Sequence, residues 1–269
     1  MKLKYALTLT AGMLAGGQSQ AALFNVDNAL GFPGTGNQDV GSSMFFSIVN
    51  LEDNVSAIVN LGTTHQAFLN NPQALSFSDD RLTAFVNAAA DKSQLLWNVG
   101  SFNNGQDLNR RGFLSTGRNG VPCCNTVPSF YGADGEDQTY NAYSGAGRYM
   151  DLWNISGRVT NDNYAEATAL DPFYHRTTNW GPQWGGVIGP LTEGDLNASM
   201  EFWFLHVDPD NFFDTSIVEQ QTLGQWRLTQ LALGGPVALN FQPIPVPAAV
   251  WLLGSALLGM ATIARRRVA

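Results

Sequence analysis

The chain has 269 residues, with 14 Lys+Arg against 22 Asp+Glu, a formal net charge of −8 and two cysteines. Five of the basic residues (Lys2, Lys4, Arg265, Arg266 and Arg267) sit near the two ends, so the stretch between them holds 9 basic and 22 acidic residues, a net −13. That balance excludes nucleic acid and anionic membrane surfaces as partners of the central region, because both draw on a cationic footprint.

In chain order, Met1-Lys2-Leu3-Lys4 is a short basic region, Tyr5 to Gly17 an apolar stretch, and Gln18-Ser19-Gln20-Ala21 a polar segment with small residues. This order predicts a secretory signal peptide over residues 1–21, cleaved after Ala21. Residues 22–242 then form the exported part, about 220 residues, which is enough for one β-rich domain. Gly, Asn, Asp and Ser punctuate it at short intervals and its strand-like runs are brief. The pattern predicts an all-β fold, a single β-sandwich-like domain with irregular loops and one or two short helices.

Met44 to Val49 and Val55 to Leu61 read as strands joined by the turn residues Glu52-Asp53-Asn54. Asp79 to Ala90 reads as a helix whose acidic start favours the helix dipole, and Leu95 to Val99 as another strand. Asn103 to about Gly147 is dominated by Gly, Asn, Asp and Pro and is expected to be loops, while Asn161 to Ala169 reads as a second short helix. Met200 to Val207 is apolar on both faces and suits a central strand. Trp226 to Leu233 and Pro236 to Phe241, separated by Gly234-Gly235, read as a final hairpin.

Candidate chemistry is sparse, and each candidate has a plain structural alternative. Cys123 and Cys124 are adjacent; in an oxidising compartment they form a vicinal disulfide or bridge other chains, and no Cys-x-x-Cys pair marks a metal site. His65, His175 and His206 are isolated, with neither a Gly-x-Ser-x-Gly elbow nor a His-Glu-x-x-His motif, so all three are expected to be structural or surface residues. Asp208, Asp210 and Asp214 place oxygen ligands at spacings that suit Ca²⁺, the one cofactor candidate. However, Phe213 stands where an EF-hand loop needs Gly, and turn chemistry explains the cluster without a metal. Trp180 and Trp184 share a Gly-rich loop; they stack on sugar rings as a carbohydrate-binding platform, or they plug the end of the core. No catalytic motif is present, and the expectation is a non-enzymatic protein.

The C-terminal segment, residues 243–269, carries the most information. Pro245-Val246-Pro247-Ala248 is followed by an uncharged apolar run, and the run by Arg265-Arg266-Arg267. The nineteen residues from Val246 to Ala264 would rise roughly 28 Å as a helix, close to the roughly 30 Å hydrocarbon core of a bilayer. The arginines would stay cytoplasmic and leave the preceding domain outside. Motif, span and basic stop in this order resemble the PEP-CTERM sorting signals of Gram-negative bacteria, in their VPLPA-type variant. Val246 replaces the Glu that the best-known form has between two prolines. The resemblance covers about a tenth of the chain and implies a single transmembrane sorting helix and processing by an exosortase-type enzyme. The implied partners are that enzyme and the secretion machinery. The implied location is an inner-membrane-anchored precursor that becomes a cell-surface or extracellular protein. The function expected on this basis is a structural or adhesive role in the envelope or extracellular matrix. An exopolysaccharide-binding module using the Trp180/Trp184 loop and a secreted hydrolase stay open as other classes.

Overall fold

A computed structural model of the chain describes residues 41–103, 112–118, 163–171, 174, 193–207 and 218–244. In chain order these hold β1 (Ser43–Asn50), β2 (Val55–Thr64), α1 (His65–Asn70), β3 (Leu75–Phe77), α2 (Asp80–Ala88) and a 3₁₀ turn (Lys92–Gln94). There follow β4 (Leu95–Asn103), β5 (Gly112–Arg118), β6 (Tyr164–Thr168), β7 (Gly194–Asp195), β8 (Ser199–Val207), β9 (Val218–Gln230) and β10 (Val237–Pro243). Among the described residues all ten strands belong to one antiparallel sheet of order β3-β10-β9-β8-β5-β4-β1-β2-β6, with β7 paired to β4 off that path. The expected all-β class is therefore what the described residues adopt.

Period-two patterning sets the faces. On one face Phe46 and Ile48 of β1, Trp97 and Val99 of β4, and Met200, Phe202 and Phe204 of β8 join a single buried cluster. Phe202 meets Phe68, Trp226 and Phe241 with centroids 5.3, 5.8 and 5.8 Å apart and rings steeply inclined, the edge-to-face geometry aromatic quadrupoles favour. The opposite face is also buried over the middle strands, at Phe45, Val49, Ile58, Phe102 and Trp203. Burial on both sides explains why β1 and β8 read as near-continuous apolar runs rather than as alternation. In β9 the core positions are Leu223, Trp226 and Leu228, a pattern one residue out of phase. The register shifts between Phe202 and Trp203 of β8, so a β-bulge at this point absorbs the extra residue and returns the apolar side chains to the core.

The sheet curls until its two ends meet one helix. Arg81 of α2 lies 4.9 Å over the ring of Tyr164 in β6, the strand at one end of the sheet. Two residues on, Thr83 Oγ1 accepts from the backbone N–H of Val237 in β10, next to the other end. Leu82, Phe85 and Val86 face inward and close the core between them. Capping explains the helix bounds. Asp79 Oδ1 accepts from Arg81 N at 2.7 Å at the start. Beyond the end, Lys92 Nζ donates to the carbonyls of Val86, Asn87 and Ala89 at 2.5, 3.2 and 2.5 Å.

Three expectations from sequence are corrected. Residues 112–118 are a strand, not loop: Phe113 and Ser115 face one way and Leu114 and Thr116 the other, all buried. Residues 164–168 are also a strand, not a helix; Ala165 and Ala167 are buried while Glu166 and Thr168 are exposed, and that period of two decides the matter. The final hairpin turns earlier than expected, so Leu231, Ala232 and Leu233 belong to its tip and not to β9. Among the described residues no helix is long and apolar enough to cross a membrane; the apolar run from Val246 to Ala264 lies outside them.

Candidate functional site

The curled sheet has two chemically different ends. At the first, the described polar residues Ser42, His65, Ser101 and Asn103 are buried. β2 gives way to α1 at Thr64, whose side chain accepts from Ala67 N as the helix N-cap. This places His65 under Gly41, a glycine held at φ 70°, where an added Cβ would come within 2.6 Å of the histidine Cβ. His65 Nδ1 is 3.0 Å from Ser101 Oγ of β4, and its ring meets Phe204 edge-on at 5.8 Å. A histidine–serine pair is the core of many acyl-transfer sites. Here both side chains are buried, at 0% and 2% exposure, so the pair ties α1 to β4 rather than presenting a nucleophile to solvent. His65 is thus structural, as its isolation in the sequence predicts.

The second end is a hydrogen-bonded rim. Register places the end of β1, the start of β4, the end of β6, the start of β8 and the tip of the β9–β10 hairpin on the same side. The β1–β2 turn is organised by Asn50, whose Oδ1 accepts from Glu52 N and Asp53 N at 3.0 and 3.3 Å, with Asn54 in the left-handed region at φ 53°. Ala169 N donates to Asn54 O at 3.0 Å, which fixes the segment after β6 to this turn. Asp91 N donates to Glu52 Oε2 at 3.1 Å, and Leu51 N to Gln94 O at 3.0 Å, which joins the turn to the 3₁₀ segment. Lys92 carries the connection to the end of α2, and Asn87 carries it on. Asn87 Nδ2 donates to Gly234 O at 3.3 Å, and its Oδ1 accepts from Gln230 Nε2 at 2.7 Å. The Ser93 hydroxyl and amide bind the Asp91 carboxylate and hold its pKa below the ordinary value. One connected frame therefore links the β1–β2 turn, the segment after β6, the 3₁₀ turn, the end of α2 and the β9–β10 tip.

Cys123, Cys124, Trp180, Trp184, Asp208, Asp210 and Asp214 lie outside the described residues, as do Pro245 to Ala248 and Arg265 to Arg267. Among the described residues no three His, Cys, Asp or Glu side chains gather in a way that could hold a metal ion. What the described residues define is an all-β fold, closed by a helix, with a buried His65–Ser101 pair at one end and a hydrogen-bonded rim at the other. No protein-family model, no curated protein and no solved structure matches the chain. Neither end was visible in the sequence as a site. His65 and Ser101 are 36 positions apart and meet only through the pairing of β1 with β2 and β4.

Proposed function

We propose that this chain is an exported cell-envelope or extracellular-matrix protein with a non-enzymatic structural or adhesive role. It is held first as an inner-membrane precursor and then processed by an exosortase-type enzyme. The observation that carries this reading is the order of Pro245-Val246-Pro247-Ala248, an uncharged apolar run and Arg265-Arg266-Arg267 after the domain. The basic and apolar opening from Met1 to Gly17 supports it, since an exported domain needs an entry signal as well as a stop. We read the curled sheet as the sandwich-like domain of residues 22–242. Its last strand runs to Pro243, with Ile244 half exposed after it, so the described domain ends directly before the Pro245-Val246-Pro247-Ala248 motif.

Intact-mass analysis of the protein from fractionated host cells tests both processing events together. The expected mature species begins at Ala22 and lacks the apolar run through Ala264. A surface-located species that keeps this run would reduce the tail to an ordinary membrane anchor and overturn the sorting reading.

A further inference from the structure

We infer that the rim is a docking surface for a partner protein whose contact face is cationic and apolar. Single exposed leucines are ordinary, but three almost fully exposed ones on hydrogen-bonded turns at one end of a sheet are not. Among the described residues the large exposed hydrophobics are Leu170, Leu231, Leu233 and Ile244, and the first three, at 96, 94 and 90% exposure, all stand on the rim. Leu231 and Leu233 form the tip of the β9–β10 hairpin. The tip is closed by Gly235 N donating to Ala232 O at 2.8 Å and by Gly234 at φ 73°. Leu170 follows Ala169 on the segment bonded to Asn54. The hydrogen-bonded frame described above connects these positions, so the leucines are presented on an ordered base and association need not order it first.

Charge selects the occupant. Glu52, Asp53, Asp91 and Asp195 are exposed on the rim, and among the described residues none of them has an ion-pair partner. Two cations at this end are engaged by backbone carbonyls: the Lys92 ammonium is turned onto the carbonyls at the end of α2, and Arg227 Nε donates to Asn197 O at 3.1 Å. A second copy of the chain would set carboxylates against carboxylates, and an anionic bilayer would repel them. A protein face with Lys or Arg around an apolar groove complements both features.

The probe is a synthetic helical peptide with a leucine face and a lysine face, compared with a peptide of equal charge whose leucines are serines. The full chain should bind the leucine peptide about tenfold or more tightly than the serine peptide, the margin expected from burying a few leucine side chains. The triple variant Leu170→Ser, Leu231→Ser, Leu233→Ser should lose that preference and keep its circular dichroism and melting temperature, since all three side chains are exposed. Glu52→Gln with Asp195→Asn should weaken binding to both peptides. Equal binding of the two peptides by wild type, or a preference that survives in the triple variant, would overturn the proposal. So would leucine-dependent self-association in sedimentation, which assigns the rim to a second copy, or leucine-dependent binding to phosphatidylcholine vesicles, which assigns it to a bilayer.

Discussion

A Cβ added at Gly117 would stand 1.9 Å from Cη2 of Trp203, whose indole is 2% exposed and is fixed by a 2.8 Å hydrogen bond from Nε1 to Glu201 Oε2. The ring therefore lies flat across the β5 backbone and cannot swing aside. Gly117→Ala should lower stability by about 1–3 kcal/mol, the usual cost of overpacking. In a Trp203→Leu background, where the far edge of the ring is gone, the same change should cost much less, and a double-mutant cycle measures the difference. Equal effects of Gly117→Ala in both backgrounds in chemical denaturation would show that the contact is slack. The same glycine helps explain why β5 was not legible: glycine-rich stretches read as loop, although here the glycine is what allows a tryptophan to pack over a strand.

At the scale of the element, α2 shows what sequence reading captures well. Asp79-Asp80 announces its start, and the structure uses Asp79 as the N-cap, with an Arg81 ion pair at 2.7 Å. The side-chain hydrogen bond from Arg81 is the main reason the Asp79 carboxyl titrates below its ordinary 3.8. A lowered folded-state pKa means the carboxylate's contribution is complete above 3.8 and is lost as pH falls through the folded value. Asp79→Asn keeps a capping oxygen but cannot titrate. Its melting temperature should therefore decline less steeply than wild type as pH drops below about 4. Superimposable acid limbs for the two proteins would remove Asp79 from the acid response. By contrast β6 was unreadable, because five residues after Asn161-Asp162-Asn163 supply too short an alternation to outweigh the helical propensity of Ala165, Glu166 and Ala167. The bulge in β9 hid in the same way, since it shows only as a register shift against its partner, β8.

For the whole molecule, closure by α2 makes the sheet one unit. Phe85 sits in the common core at 7% exposure, between elements that belong to opposite ends of the strand order. Phe85→Ala should cost about 3–5 kcal/mol and leave unfolding a single transition. Hydrogen exchange should then show the amides of β6 and β10 opening with the same free energy. Separate unfolding of the two regions would mean that α2 seals the core without coupling the ends. The all-β class was legible because brief strand runs and turn residues are local features. The rim was not: Leu231 and Leu233 lie out of phase with Trp226 and Leu228 in a stretch that still reads as strand, and only the register of distant strands puts their turn at the same end of the sheet as Leu170.

The direction of β10 has a mechanical consequence. The strand begins at the rim with Val237 and runs to Pro243, so its seven residues span roughly 20–24 Å between the leucine-bearing end and the point where the chain leaves the sheet. A pull on the chain beyond Ile244, opposed by a grip on the hairpin tip, acts along the strand. The ladder bonds between β10 and its neighbours β9 and β3 lie across that direction. Because the tip and the exit are the two ends of the same strand, tension between them is carried by the covalent backbone of β10, which is already almost fully extended, and the ladder bonds to β9 and β3 are left unloaded.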